Sequence, residues 1–315
     1  MPAGAVTVRP LQEGDLDVAD HVMRVAFGTF RGVADPSRTF GDAQFVRTRF
    51  LAAPDCAWAA EVDGEVVGSV FAARWGTFAF FGPLSVRPDY WDRGVGNRLM
   101  KAVIEAFDRW DVRQAGLFTF ANSAKHVGLY QKHGFWPGFL IAVTIKEVTR
   151  AAGACATFSQ VPVQERTRTL DAIRELTDAV FPGLDLEREV VGVDVQRIGE
   201  TLLLYDGAQL VAAAVCHSGT GSEAGAGSCY VKFGAVRPGV EAAERFERLL
   251  DACEAFAAAS GLGRMVAGVD TGRLDAYRRM LRRGYRAELL GLSMQRWPER
   301  PDFDGPEHYV IADLR

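Results

Sequence analysis

A mixed α/β fold in two tandem copies is the architecture that this 315-residue sequence predicts. The first observation behind it is a repeat. Val86-Arg87-Pro88 returns as Val236-Arg237-Pro238, and Gly134-Phe135 returns as Gly284-Tyr285 at the same offset of 150. The hairpin signal Val62-Asp63-Gly64-Glu65-Val66 is echoed by Tyr205-Asp206-Gly207-Ala208-Gln209 at an offset of 143. Three landmarks in one order at nearly one spacing describe one fold used twice, at about 145 residues per copy, an ordinary domain size. The second observation is that each copy mixes strand-period and helix-period runs, with a helix directly after its central strand.

The first copy reads in order. Val6 to Pro10 is a short strand, and Asp15 to Phe30 is a helix with Val18, Val22, Val25 and Ala26 at helical spacing behind an acidic first turn. Ala43 to Ala52 is a second helix. Ala57 to Val62 and Glu65 to Arg74 form a hairpin, because Asp63-Gly64 supplies the positive φ angles of a tight antiparallel turn. Phe78 to Val86 is a fourth strand. In Gly96 to Trp110 one stripe carries Leu99, Val103, Phe107 and Trp110, the inward face of a helix. Ala115 to Phe120 is a strand, Ala124 to His133 a helix and Phe139 to Val148 a closing strand.

These readings bound the domains: 1–148 as the first copy, 149–157 as a linker of small residues without periodicity, 158–297 as the second copy, and 298–315 as an extended, proline-bearing tail that adds a short edge strand. The glycine-rich loop Ser218 to Ser228 reads as a mobile hairpin tip. Composition narrows the function. Lys+Arg 36 against Asp+Glu 40 leaves a net charge of −4, with no positive excess to hold a nucleic-acid backbone. No apolar run is long enough for a membrane span, and the first ten residues lack a signal-peptide pattern. The five cysteines are scattered with no C-x-x-C pair, the usage of a reducing cytoplasm, and no metal site is expected.

The informative stretch runs from Leu84 to Leu99. A strand ends at Val86, Pro88 stops its ladder, and a short loop delivers Gly94 and Gly96 to the mouth of the next helix. A helix N-terminus carries unpaired N–H groups and partial positive charge, and glycine lets a ligand approach the backbone, so this turn is a candidate diphosphate cradle. Arg93 and Arg98 stand at its rim. The dinucleotide fingerprint fails for want of a third glycine and a downstream acid, and the P-loop fails for want of Gly-Lys-Ser/Thr.

About thirty residues on stands Asn122-Ser123-Ala124-Lys125-His126-Val127-Gly128-Leu129-Tyr130, closing on Gly134-Phe135. Together the two stretches resemble the GCN5-related N-acetyltransferase (GNAT) superfamily. The resemblance covers the first copy in element order. It implies tandem GNAT folds, each a mixed, mostly antiparallel sheet flanked by helices. It also implies acetyl-CoA as cosubstrate and transfer of its acetyl group to a primary amine on a small molecule or peptide. It further implies that the backbone of Arg93, Gly94, Val95, Gly96 and Asn97 holds the pyrophosphate and that Leu84 and Val86 lie along the pantetheine arm. By the same resemblance Asn122 contributes to the cofactor site and Tyr130 gives a proton to the departing thiolate. Two departures stand out: Trp91 occupies a position usually Gln or Arg, and Asn122 lies eight residues before Tyr130, one more than the common spacing.

The fourth strand, Phe78 to Val86, carries no carboxylate to serve as general base, which leaves His21, His126, His133 or a water chain. In the second copy the 150-residue offset turns Gly94 into Glu244, Gly96 into Phe246 and Tyr130 into Met280, so that copy has lost the cradle. The expectation is an N-acetyltransferase run by its first half. The alternative is a catalytically silent acyl-CoA sensor or scaffold. Neither nucleic acid nor membrane is expected as partner, and a homodimer is compatible with either reading.

Overall fold

The structure, a computed structural model, describes residues 5–148, 155–296, 303 and 305–315. The first half runs β1 (Thr7–Pro10), α1 (Leu16–Arg31), α2 (Phe45–Ala52), β2 (Ala57–Val62), β3 (Glu65–Trp75), β4 (Phe78–Val86), α3 (Val95–Arg109), β5 (Gln114–Thr119), α4 (Ala124–Gln131) and β6 (Trp136–Glu147). The second half repeats this order as β7 (Ala156–Thr157), α5 (Arg166–Val180), α6 (Glu187–Gln196), β8 (Gly199–Asp206), β9 (Gln209–Gly219), β10 (Gly225–Val236), α7 (Ala242–Ala259), β11 (Arg264–Asp270), α8 (Leu274–Arg282) and β12 (Arg286–Arg296). A last strand, β13, is Val310–Ile311.

The strands form one sheet in the order β1-β2-β3-β4-β5-β12-β6-β11-β10-β9-β8-β7, with β13 attached to β10. Its pairings are antiparallel except β4–β5 and β10–β11, the parallel steps that the helices α3 and α7 bridge. The closing strands are exchanged. β12 pairs with β5 (Leu292↔Thr119 to Arg296↔Ala115), while β6 pairs with β11 (Arg264↔Glu147 to Asp270↔Ile141). The halves are thus joined through continuous backbone hydrogen bonding.

Packing follows the apolar stripes. In α3, Val95, Leu99, Met100, Val103 and Phe107 are buried against the sheet, where truncating one large side chain to alanine costs roughly 2–5 kcal/mol. α7 presents Phe246, Leu249, Leu250 and Cys253 in the same way. α1 buries Leu16, Ala19 and Met23 and ends where Gly32 takes the left-handed conformation, φ 68°, that closes a helix at low steric cost. Trp75, Phe78 and Phe80 pack against Phe181, Phe233 and Phe303, which binds the halves through a shared core. All five cysteines are unpaired thiols, and no helix among the described residues is long and apolar enough to cross a membrane.

Two expectations meet the structure differently. Residues 149–154 of the expected linker lie outside the described residues, and its end, Ala156–Thr157, pairs with β8. The loop read as a mobile tip is docked instead. Ser222 and Glu223 are buried, the Gln44 amide donates to the Ser222 carbonyl at 2.9 Å, and the Ala226 amide donates to Asp42 Oδ1 at 2.9 Å. Its glycines provide the positive φ angles of that turn (Gly219, Gly221, Gly225 and Gly227), a conformational requirement that composition alone reads as looseness.

Candidate active site

The site starts from an unfinished strand pairing. β4 pairs with β5 at Phe78↔Gln114, Ala79↔Ala115 and Phe80↔Gly116 and then diverges, so the edge from Phe81 to Val86 faces a wedge rather than a neighbouring strand. The wedge opens into a cleft of about 650 Å³ lined by Leu84, Val86, Gly94, Val95, Gly96 and Asn97 on one side and by α4 with Tyr130 on the other. Of the residues expected for the cofactor, these six reach the cleft. Arg93 does not line it, since its side chain is exposed and stacks over Tyr90 at 5.1 Å. Asn122 is exposed outside it; the adjacent Ser123 lines the cleft and caps α4, its hydroxyl accepting from the His126 amide.

Gly94 caps α3 with φ 79°, a conformation costly for a side chain, and the first backbone bond of the helix is Arg98 N–H to Gly94 C=O at 3.2 Å. The N–H groups of Val95, Gly96 and Asn97 therefore precede the intrahelical ladder and point out of the helix mouth. A Cβ on Gly96 would sit 3.5 Å from Leu129 Cδ2 and 4.0 Å from Leu84 Cδ2, so the bare backbone at this point keeps the cleft open. An anionic group fits this donor set by charge and by access. Trp91, the unusual residue of the turn, donates from Nε1 to the Val86 carbonyl at 2.6 Å and ties the end of β4 to the loop. Its ring lies under Lys125 Nζ at 5.5 Å, and Lys125 pairs with Asp92 at 2.7 Å.

Tyr130 is 8% exposed and packs edge-on against Phe81 at 5.6 Å. Burial pushes its hydroxyl up to about 12, partly offset by a hydrogen bond with Thr119, so the phenol keeps its proton throughout neutral pH. The three histidines separate clearly. His21 is exposed on α1 away from the cleft; His133 contacts Asn97 Oδ1 at 3.2 Å; His126 lines the cleft with its ring 4.9 Å from Phe30. Burial, reinforced by Lys125, holds His126 below the usual histidine value and therefore neutral at pH 7.

Sequence reasoning missed Arg49. From α2 its guanidinium donates to the carbonyl of Gly82, at the divergence of β4, and binds Glu223 of the second half through Nε (3.0 Å) and Nη2 (2.7 Å). Lys232 bridges Glu223 (2.9 Å) and Glu189 (3.0 Å), and Trp75 Nε1 donates to Glu189 at 3.0 Å. Two cations and two carboxylates thus balance in a buried quartet. Burial opposes the charge on Glu223, yet Arg49 and Lys232 hold its carboxyl well below the ordinary range. No local signal marks Arg49, whose partner is 174 residues away.

The second half closes the equivalent wedge. β10 pairs with β11 from Ser228↔Arg264 to Val231↔Ala267, and beyond that point β13 takes the place next to β10 (Gly234↔Ile311, Ala235↔Val310). α7, at 18 residues against 15 for α3, ends at the matching residue and starts one turn earlier. That extra turn occupies the sequence matching the glycine loop. Phe246 and Met280, which match Gly96 and Tyr130, are fully buried.

The comparisons agree with this geometry. Residues 23–135 match the Acetyltransferase (GNAT) family. No curated protein matches the chain in sequence. Among solved structures, an inferred acetyltransferase from Pyrococcus horikoshii superposes with a TM-score of 0.68 at 16% identity, over 98% of this chain and 94% of that one. A GCN5-related N-acetyltransferase from Sphaerobacter thermophilus gives 0.58 at 17% identity (94% and 98%), and one from Kribbella flavida 0.52 at 16% (95% and 73%). At these identities the likeness is one of fold, and it spans nearly the whole chain. Residues 23–135 thus match the Acetyltransferase (GNAT) family, and the chain as a whole shares its fold with structures of GCN5-related N-acetyltransferases.

Proposed function

We propose that the first half, residues 1–148, binds acetyl-CoA in the β4–β5 wedge and transfers its acetyl group to a primary amine, while the second half, 158–297, is a degenerate copy that supports it. The observation that carries this reading is the contrast at one position of the fold: an open strand edge leading to the bare N-terminus of α3 in the first half, and β13 filling that place in the second. Acetyl-CoA supplies an activated thioester carbonyl. The N–H groups of Val95, Gly96 and Asn97 hold its diphosphate, and the free backbone edge at Leu84 and Val86 pairs with its amide-bearing arm.

An alkylamine enters protonated, with a pKa near ~10.4, and must lose that proton to attack. His126, neutral and on the cleft wall, is the histidine able to take it, directly or through water. Tyr130, which retains its proton, donates to the departing thiolate, and such general-acid help is worth ~10²–10⁴-fold. The silent-sensor alternative draws on one fact: Asp92, a side-chain carboxylate lining the cleft, is engaged with Lys125. Titration calorimetry with acetyl-CoA together with a thiol-release assay separates the two. Binding with thiol release on addition of amines is expected. Binding without release under any amine overturns catalysis, and absence of binding overturns both.

A further inference from the structure

A second cavity, also of about 650 Å³, runs along the other flank of α3, between that helix and strands β1 and β2. It meets the cleft at Gly94 and Asn97, which line both spaces. The free N–H groups at the start of α3 therefore stand where two cavities join. The walls of this groove differ from those of the cleft. Val8 on β1, Trp58 on β2 and Ala102 on α3 are half-buried and give it an apolar floor. Arg98 and Lys101 are exposed along its α3 side. Arg98 donates from Nη1 to the Val6 carbonyl at 3.1 Å, which lays its guanidinium beside β1. Among the described residues no carboxylate pairs with Arg98 or Lys101. Arg9, on the opposite wall, is already held by Asp15 (2.6 Å) and Glu61 (2.8 Å). The carboxylate that lines the groove, Glu105, stands two turns past Asn97, about 12 Å along the helix axis.

We propose that this groove receives the 3′-phosphorylated adenosine end of the cofactor, with Arg98 and Lys101 on the 3′-phosphate and the purine over Val8, Trp58 and Ala102; this rests on the acetyl-CoA reading above. A ligand gripped at its diphosphate has a body on either side, and the two cavities that meet there take one each. Lys101 lies one turn beyond Asn97, about 6 Å along the helix, which matches the span of one ribose between the diphosphate and the 3′-phosphate. A phosphate monoester carries about −1.5 to −2 charge at pH 7, so two cations without carboxylate partners suit it, and Glu105 lies beyond its reach. The purine gains by covering the apolar floor.

The test uses the full chain and two ligands in titration calorimetry: acetyl-CoA and its analogue lacking the 3′-phosphate. The analogue should bind about tenfold more weakly, and added salt should narrow the gap. Lys101→Gln and Arg98→Gln, both at exposed positions, should together lower acetyl-CoA affinity about tenfold and leave affinity for the analogue unchanged. A substitution that merely disturbed the fold would weaken both ligands alike. Equal affinity for the two ligands, a gap that survives both substitutions, or variants that weaken the two ligands equally overturns the assignment of the groove. Absence of binding by either ligand contradicts the acetyl-CoA reading instead, so the two failures are distinct.

Discussion

β4 and β10 occupy the same place in the two halves and meet opposite fates. Each starts in parallel register with its neighbour, for three residue pairs in β4 and four in β10, and each then leaves that neighbour. In the first half the departing edge stays open and ends at a glycine turn. In the second, Val310 and Ile311 of the tail complete it, with the Val236 amide donating to the Tyr309 carbonyl at 3.4 Å. The tail is held firmly: Arg273 donates to the Phe303 carbonyl at 2.6 Å, Tyr230 donates to Asp313 at 2.7 Å, and Phe303 stacks on Phe78 at 4.0 Å. One fold therefore presents an open edge in one half and a filled edge in the other, according to what pairs with half of one strand.

The comparison can be broken most severely at Gly96. Gly96→Glu places a carboxylate where the proposed site holds the diphosphate, and on that reading acetyl-CoA binding should fall below detection in calorimetry. Gly96→Ala adds only a Cβ at ordinary contact distance from Leu129 and separates crowding from charge. The reverse change, Glu244→Gly, should create no second site, because β13 still fills that wedge.

The next effect concerns how the blocked half supports the open one. Glu223→Gln leaves Arg49 and Lys232 facing a neutral amide in a buried quartet, and removing one partner of such a group costs roughly 3–5 kcal/mol. Chemical denaturation should report that loss. Turnover should fall as well, since Arg49 also holds the Gly82 carbonyl.

Tyr130→Phe should then lower kcat about 10²-fold while leaving acetyl-CoA affinity nearly unchanged, a split that single-turnover kinetics and calorimetry resolve together. Equal turnover in the variant removes the acid role.

The smallest effect is a pH dependence in the buried interface. Burial, with Lys232 adding to it, depresses His217 to about 4, and Glu223, Glu189 and Arg49 also face it. The unfolded chain takes up this proton near 6.5 and the folded one only near 4, so the stability is present above 6.5 and drains as pH falls through that window. Between pH 7 and pH 5 the loss is about 2 kcal/mol for this group. Denaturation midpoints of the parent and His217→Asn at both pH values check it: the parent should lose more than the variant.

What could be read from the sequence follows the range of the physics involved. The strand–turn–helix from Leu84 to Leu99 was legible because positive-φ glycines and apolar periodicity act over a few residues. The helix stripe at Leu99, Val103 and Phe107 and the Asp63-Gly64 hairpin were legible for the same reason. The partners of each strand edge were not. The exchange of β6 and β12, the seating of β13 beside β10 and the grip of Glu223 on Arg49 depend on residues far apart in the chain, and the sequence near each carries no mark of it. The loop around Ser222 shows the cost of composition alone: its glycines serve a buried turn.

The most direct test is the stoichiometry and location of acetyl-CoA binding by titration calorimetry, run on the parent chain and on Gly96→Glu. One molecule per chain for the parent and none for the variant is the predicted result. Two per chain, or binding that survives the substitution, would contradict the assignment of the site to the open wedge of the first half.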